Sequence, residues 1–431
     1  MTYDEAIKYI HGVSNFFCKP GLERTRALCC GLGNPQDKLK FIHVTGTNGK
    51  GSVCSMLSHI LCSAGYKVGL YTSPYVMRFN ERMRINGESI SDIDLARFTE
   101  KAKDVAEGMS DRPTEFELIT AIAFDYFAEE KCDIVVLEVG MGGKLDATNI
   151  IAPPLLSVIT GVAIDHTSFL GHNITEIADE KSGIIKLKSP ILFGGEDVDA
   201  EAIITEKAKK MQSKFYKTDY SKLKIRSSSL DGTSFDYKQR HGLFVPLLGA
   251  YQPKNASVVL DAIDIIKERG IIISEKAIED GLAKASWPAR FEVISNDPTV
   301  IFDGAHNPQG IAAAVESIKL YYKNRKVVVL TGVLRDKDYH LISDSISEIA
   351  ESVFTITPDN PRALGAEEYA KMFTQKGVEA TACDSISNAL KRAIKRAKNT
   401  DTALFCLGSL YTYCEIKPLI DIYTQNGNFG C

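Results

Sequence analysis

The sequence lacks the features that would place it in several broad classes of protein. Its 431 residues include one Trp, no Cys-x-x-Cys pair and no apolar run near the roughly 20 residues that span a bilayer. Most of its ten cysteines lie in apolar segments, which predicts reduced core thiols rather than disulfides or a zinc site. The amino-terminal MTYDEAIKYI carries acids and no apolar core, so we expect no secretory signal. These absences favour a cytoplasmic protein with no membrane partner.

An excess of basic charge is also missing. The formal net charge is −4, whereas a nucleic-acid-binding protein needs a concentrated basic face, so we expect no nucleic-acid partner. Hydrophobic residues make up 44% and charged residues 25%, a balance that is typical of globular domains. The length favours two or three domains. No segment suggests a subunit interface, and we expect a monomer.

Short apolar strands alternate with amphipathic helices through most of the chain. The first strands are predicted at 41–45, 68–72, 134–139, 156–160 and 190–193, and this βαβ alternation is typical of a parallel, doubly wound sheet. Between about 214 and 248 the pattern changes to a hairpin, with its turn predicted near His241-Gly242. A second alternation follows the only Trp, with one of its helices predicted over 343–352.

The stretch HVTGTNGKGSV, which starts at position 43, looks like a phosphate-binding loop with unusual spacing. The standard pattern has four residues between its first Gly and the Gly-Lys pair, whereas here two residues separate Gly46 from Gly49, and Gly51 lies between Lys50 and Ser52. The loop follows a predicted strand and opens a predicted helix, where backbone N–H groups and the positive helix end bind phosphate. The alternative interpretation is a Gly-rich turn with a solvated lysine. The loop predicts an α/β protein with an N-terminal P-loop ATPase domain, containing a parallel sheet, over 1–287. A smaller Rossmann-like α/β domain is predicted over 288–431.

The loop and six later segments resemble, in the same order, the motifs of the folylpolyglutamate synthases, a family of ATP-dependent ligases related to the Mur ligases. The six segments are LYTSPYVMRFNERMRING (70–87), LEVGMGGKLDATN (137–149), DHTSFLG (165–171), EKSGIIK (180–186), WPARFE (287–292) and DGAHNP (303–308). The shifted glycine spacing is normal in that family. Lys144 is a departure, because the family usually has Arg there and Lys loses the planar guanidinium fork.

The resemblance implies an ATP site and a magnesium site. The matching ATP-binding positions are Thr47, Asn48, Gly49, Lys50, Gly51, Ser52, Asn255, Arg290, Asp303 and His306. Two Mg²⁺ ions are implied, and the matching metal positions are Ser73, Glu138, His166 and Lys181. In the family the lysine is carbamylated, which turns a cation into a carboxylate. The residues alone also permit a structural interpretation of each position. In that interpretation Ser73 is a turn residue, Glu138 a capped structural acid, His166 a structural histidine and Lys181 a solvated helix lysine.

The resemblance also implies a folate or pteroate site. The matching positions are Phe116, Glu117, Leu145, Asp146 and Ala147, and GLER at 21–24 resembles a further part of the same pocket. From the residues alone, Phe116 is more simply a core aromatic.

The reaction implied by the resemblance adds L-glutamate to the γ-carboxylate of a reduced folate through an acyl phosphate, with ATP as phosphoryl donor. Lys50, His166 and Lys181 are the implied catalytic positions. Some family members also join glutamate to dihydropteroate, and the sequence leaves this second activity open. The alternatives are a Mur-type ligase for a cell-wall precursor, an ATP-driven switch or binding module, and a nucleotide kinase.

Overall fold

The computed structural model describes residues 1–13, 21–323 and 325–425, which group into two compact units. The first takes the described residues of Met1–Lys224, Asp236–Phe244 and Lys254–Ser286, and the second those of Ile225–Phe235, Val245–Pro253 and Trp287–Cys431. The two continuous domains predicted from the sequence stay a prediction.

An eight-stranded sheet forms the centre of the first unit. Its strands are β1 (Phe41–Thr45), β2 (Val68–Tyr71), β3 (Met83–Ile85), β4 (Glu88–Ser89), β5 (Ile134–Glu138), β6 (Leu156–Ile159), β7 (Ile191–Phe193) and β8 (Phe215–Lys217). Their spatial order is β4-β3-β2-β5-β1-β6-β7-β8. The pairs from β2 to β8 are parallel, and β3 and β4 add an antiparallel edge. Because β1, β5 and β6 are neighbours, the loops that follow them meet at one edge of the sheet.

Helices connect the strands of the first unit. They are α1 (Tyr3–Gly12), α2 (Glu23–Gly31), α3 (Lys50–Ser63), α4 (Asp92–Glu107), α5 (Glu115–Glu129), α6 (Thr167–Leu170), α7 (Ile174–Ser182), α8 (Val198–Lys210), most of α9 (Gln252–Glu268) and α10 (Glu275–Ala283). Helix α5 begins at a capping box formed by Thr114 and Glu117. Its apolar side chains, with those of β1, β2 and β5, form a continuous core.

A separate sheet holds the predicted hairpin, in the spatial order β11-β10-β9, with β9 at Leu223–Ser229, β10 at Gly232–Tyr237 and β11 at Arg240–Val245. The turn predicted near His241-Gly242 is wrong, because the chain turns at Lys238-Gln239, where Lys238 has a φ of +51°. The misleading Gly242 has its positive φ inside β11, where its N–H donates to Asp236.

The second unit contains a six-stranded sheet in the order β12-β13-β17-β14-β15-β16. Its strands are β12 (Glu292–Asn296), β13 (Thr299–Phe302), β14 (Val327–Thr331), β15 (Ala350–Thr355), β16 (Glu379–Ala382) and β17 (Leu404–Leu407). All neighbours are parallel except β12 and β13. Its helices are α11 (Pro308–Tyr322), α12 (Tyr339–Ser347), α13 (Ala366–Gln375), α14 (Ile386–Asn399) and α15 (Tyr413–Gln425). The predicted α/β fold class is confirmed.

One helix of the second unit lies earlier in the chain than predicted. The helix expected over 343–352 is α12, which begins at Tyr339 because Oδ1 of Asp338 caps it through the N–H of Leu341. It ends at Ser347 because Ala350 already begins β15. Within the part of the chain that the structure describes, no helix is both long and apolar enough to cross a bilayer.

Candidate active site

The loop between β1 and α3 holds most of the predicted ATP-binding residues. Gly46 has a φ of +154°, and a Cβ atom there would collide with Oγ1 of Thr160. Gly49 caps α3 with a φ of +85°, and its Cβ would lie 2.8 Å from Oδ1 of Asn255. Both positions therefore require glycine, and the side chain of Asn255 lies against the loop. Helix α3 begins directly after this loop, and the first N–H groups of a helix are a common place for phosphate to bind.

The loop that follows β6 holds the phosphate loop in shape. The N–H of Thr47 donates to the carbonyl of Gly161 at 2.9 Å, and the hydroxyl of Thr47 bonds to both backbone groups of Ala163. The hydroxyl of Thr160 donates to the carbonyl of Asn48 at 2.6 Å. Side-chain hydroxyls of both loops therefore hold the phosphate loop in shape, and no local pattern marks Thr160 for this role.

Lys50 is folded back over its own loop. Its Nζ donates to the carbonyl oxygens of Gly46 at 3.0 Å and Thr47 at 3.3 Å. It lines a cavity with His166 and Lys181, so the structure brings together the three predicted catalytic residues. The same cavity is bounded by the loop after β5.

Lys181, on α7, is only 3% exposed. Burial, together with the charge of Lys50, lowers the pKa of Lys181 to about 7, although the nearby Asp165 and Asp146 act in the opposite direction. A large fraction of this amine is therefore neutral near neutral pH, and a neutral amine is a nucleophile.

The predicted metal ligands approach the same edge of the sheet. Glu138 ends β5, is 3% exposed, and its Oε2 accepts from the N–H of Ser73 at 3.1 Å. His166 has a φ of +50°, and its Nε2 lies 3.9 Å from Oδ2 of Asp165. Across the described ranges, no three His, Cys, Asp or Glu residues are grouped as a metal site. Of the four predicted ligands, only Glu138 and His166 belong to these residue types. Mg²⁺ prefers six oxygen ligands, so the carboxylate of Glu138 and the hydroxyl of Ser73 fit it only together with further oxygen ligands.

The predicted folate residues border the loop after β5. The ring of Phe116 packs against Gly140, where an added Cβ would lie 2.5 Å from it. Leu145 is 46% exposed, whereas Ala147 is buried. Asp146 is buried and accepts from the N–H of Met141 at 3.0 Å, so it shapes this loop from within. Burial raises the pKa of Asp146, against the effect of its hydrogen bonds.

Glu117 has protein partners on both carboxylate oxygens. Arg24 donates to them in a bidentate arrangement, with Nε and Nη2 each at 2.9 Å, and the N–H of Thr114 donates at 2.7 Å. Both charged side chains are less than 10% exposed. The structure therefore joins two predicted parts of the folate pocket, GLER and Glu117, through a buried ion pair.

We expect the Arg24→Met variant to lose about 3–5 kcal/mol of stability, because it leaves the Glu117 carboxylate buried without its cation. Urea unfolding measures this loss. A matched control is Arg78→Ala, which removes an exposed pair with Asp92 and should cost far less stability than the Arg24 change. Equal losses in the two variants would show that the buried pair adds no stability beyond that of a surface pair.

His43 is a buried histidine that sequence analysis did not select. It lies on β1 with no exposed surface, and its Nε2 is 2.9 Å from Oγ1 of Thr148. The Thr148 hydroxyl in turn donates to Oδ1 of Asp146 at 2.5 Å. Burial, with a smaller effect from the charge of Lys186, lowers the pKa of His43 to about 3, so the ring is neutral. His43 therefore supports the loop that Asp146 shapes.

The second unit holds the remaining predicted ATP-binding residues. Asp303, 2% exposed, accepts from the N–H groups of Phe291 and Ala305 and from the hydroxyl of Tyr251. These donors use three of the roughly four lone-pair positions of the carboxylate. Nδ1 of His306 donates to the carbonyl of Gly304 at 2.8 Å, because a carbonyl can only accept.

Two family models match the chain. The Mur ligase middle domain matches residues 44–263, and the glutamate ligase domain of Mur ligases matches residues 289–410. The chain is 37% identical to the folylpolyglutamate synthase of Lacticaseibacillus casei, over 97% of this chain and 99% of that protein.

Further similarities cover nearly all of the chain. It is 34% identical to the dihydrofolate synthase/folylpolyglutamate synthase of Bacillus subtilis, covering 96% of this chain and 98% of that protein. It also resembles a solved FPGS–AMPPCP–folate complex with a TM-score of 0.83 and 33% identity, covering 97% of this chain and 100% of that one.

Proposed function

Because the chain belongs to the family of folylpolyglutamate and dihydrofolate synthases, we propose that it is an ATP-dependent ligase that adds L-glutamate to a folate. The observation that carries the proposal is the cavity at the phosphate loop, where Lys50, His166 and Lys181 come together. We further propose a monomer that works in the cytoplasm.

A carboxylate needs activation before an amine can attack it, because an oxide ion is a very poor leaving group. In the proposed reaction, the γ-carboxylate of the folate attacks the γ-phosphorus of ATP, and ADP leaves. The neutral amine of L-glutamate then attacks the carbonyl carbon of the acyl phosphate, the C–N bond forms, phosphate leaves with the electrons of the C–O bond, and the nitrogen loses one proton to solvent. Little covalent chemistry falls to the protein, which positions the reactants and neutralises charge.

The N-terminal residues supply this positioning. The N–H groups of the loop from Thr47 to Ser52 bind the phosphates, and the ammonium of Lys50 leaves its own loop carbonyls to reach them. The side chain of Asn255 lies against Gly49 and borders the loop on that side.

Ser73, Glu138, His166 and carbamylated Lys181 are the proposed residues for two Mg²⁺ ions. The buried carboxylate of Glu138 supports this proposal, because it ends β5 beside Ser73 and carboxylate oxygens are ligands that Mg²⁺ prefers. When bound, Mg²⁺ offsets negative charge on the phosphoryl group. Asp165 holds the backbone of His166, through an acceptor 2.8 Å from its N–H.

The folate ring system is proposed to bind beside the loop after β5. Phe116 offers a partly buried ring against Gly140, and the exposed Leu145 with the neighbouring Ala147 offers apolar surface. Glu117 and Asp146 are proposed to act mainly by holding this pocket, because their carboxylates already accept several protein donors.

Arg290, Asp303 and His306 are the proposed ATP-binding residues of the second unit. The guanidinium of Arg290 carries a positive charge that would stabilise the developing phosphoryl charge. Nδ1–H of His306 donates to the carbonyl of Gly304, which fixes the tautomer of the ring.

Glutamate-dependent formation of ADP by the purified protein tests this function. A reduced folate and dihydropteroate would serve as acceptors in parallel assays. Turnover with the folate supports the proposal, and turnover with both adds dihydrofolate synthase activity. ATP hydrolysis that is independent of glutamate and yields no amide would instead favour the switch, and turnover only with a nucleotide-linked peptide precursor would favour a Mur-type cell-wall ligase.

A further inference from the structure

The backbone on both sides of Arg290 has an unusual conformation. Ala289 has a φ of +57° and Phe291 a φ of +48°, the left-handed region that side chains with a Cβ rarely adopt. Among the described non-glycine residues with positive φ, these two are the only apolar ones, and both side chains have no exposed surface. Unfavourable backbone of this kind persists only where the surroundings hold it, and it concentrates at functional sites.

Two carboxylates hold the N–H groups of these strained residues. Oε2 of Glu292 accepts from the N–H of Ala289 at 2.8 Å, and Oδ2 of Asp303 accepts from the N–H of Phe291 at 2.9 Å. Hydrogen bonds to an ionised acceptor are stronger than neutral ones. The strained segment is therefore held one residue before and one residue after Arg290.

Each carboxylate is in turn fixed by a tyrosine. The hydroxyl of Tyr413 donates to Oε2 of Glu292 at 2.8 Å, and its ring packs edge-on against Phe302 with centroids 4.9 Å apart. The hydroxyl of Tyr251 donates to Oδ2 of Asp303 at 3.0 Å. The two arrangements repeat the same chemistry on either side of one arginine.

Ala289 and Phe291 are buried, whereas the side chain of Arg290 between them is half-buried. Phe291 packs in the core of the second unit, with ring centroids 5.5 Å from Tyr321 and 5.6 Å from Phe405. The guanidinium of Arg290 lies so close to Gly304 that a Cβ atom there would collide with it. Packing and hydrogen bonds together thus determine where Arg290 points.

We propose that Glu292 with Tyr413, and Asp303 with Tyr251, are positioning residues that orient Arg290 for the phosphoryl group of ATP. These four residues are called the arginine clamp. The proposal rests on the ATP-binding role proposed for Arg290 and assigns a structural cause to it. Asp303 would then hold the backbone beside Arg290 in addition to its proposed role in the ATP site.

Steady-state kinetics of the full chain test the arginine clamp. The variants are Tyr413→Phe, Tyr251→Phe, Arg290→Ala and the double variant Tyr413→Phe/Arg290→Ala. The matched control is Tyr423→Phe, which makes the same change in the same helix, where the hydroxyl meets Ser387. The kcat and the KM for ATP and for glutamate are measured for each, with the thermal midpoint as a check on folding.

We expect Arg290→Ala to lower kcat about 10²-fold or more. Tyr413→Phe and Tyr251→Phe should each lower kcat about 10-fold with the KM for glutamate unchanged, and the Tyr423 control should match the parent chain. In the Arg290→Ala background the Tyr413→Phe change should have no further effect, because the clamp acts only through the arginine.

Three results would overturn the proposal. Unchanged rates for both single tyrosine variants, beside a slow Arg290→Ala, would remove the clamp and leave the role of Arg290 intact. Effects of Tyr413→Phe and Arg290→Ala that multiply in the double variant would show that Tyr413 has a separate, purely structural role. Full activity of Arg290→Ala would refute the role proposed for Arg290 itself, and the clamp with it.

Discussion

We expect the Lys50→Ala variant to lose about 10³-fold in glutamate-dependent ADP formation, because no other cation lies within the phosphate loop itself, residues 46–52. In the structure its Nζ is already inside the loop, 3.0 Å from the carbonyl of Gly46. The loop itself is held by the hydroxyls of Thr47 and Thr160, so its shape should survive the substitution. The loss should therefore appear in catalysis and not in the thermal midpoint.

Two further variants show whether the loss of activity in Lys50→Ala is specific to this lysine and to its charge. Lys40→Ala removes an exposed lysine directly before the same strand, β1, and should change the rate by less than about twofold. Lys50→Arg keeps the charge on a larger, planar group and should retain part of the activity. Substantial ADP formation by Lys50→Ala with either acceptor would show that Lys50 does not bind the transferred phosphate.

The sequence was most informative where a local pattern is sufficient to define an element. The strand at Phe41–Thr45 was predicted with its observed bounds, because an apolar run ends abruptly at a glycine loop. The predicted position of the hairpin turn is wrong because glycine occurs both in turns and at irregular points of strands. Gly242 has its positive φ inside β11. Helix α12 was misplaced because its start depends on a cap at Asp338, which is a weaker signal than hydrophobic period.

Contacts between distant parts of the chain could not be predicted. Arg24 and Glu117 are 93 positions apart, and nothing local marks either one as the partner of the other. Thr160 supports Asn48 across 112 positions in the same way. The resemblance selected Lys181, but its near-complete burial is a property of the fold, and a lone helix lysine carries no sign of it.

This burial gives Lys181 a chemistry that an exposed lysine lacks. An ordinary lysine has a pKa of 10.5 and is almost wholly an ammonium at neutral pH, whereas the pKa of Lys181 is lowered to about 7. In the proposed carbamylation, the neutral amine adds to the carbon of CO₂, a C–N bond forms as one C=O π bond breaks, and one proton leaves the nitrogen for solvent. The product would be a carbamate, which places an oxygen ligand suited to Mg²⁺ where the amine was. Because the pKa is lowered, the reactive form becomes dominant as the pH rises through about 7.

We expect the Lys181→Ala variant to lose about 10²–10³-fold in kcat, with partial recovery when a small carboxylate such as acetate is added. In ¹³C NMR spectra of protein incubated with labelled bicarbonate, the parent chain should show one carbamate carbon that Lys181→Ala lacks.

Lys186→Ala is the matched control, because burial also lowers the pKa of that lysine, to about 8, yet its Nζ donates to the carbonyl of Asn149 outside the cavity. This control should keep the carbamate signal. The signal should grow as the pH is raised through about 7, since a neutral amine is required. A Lys181→Ala variant that stays active, or a parent chain with no carbamate signal at saturating bicarbonate, would leave Lys181 as a buried amine, and the oxygen ligands for Mg²⁺ would then have to come from elsewhere in the site.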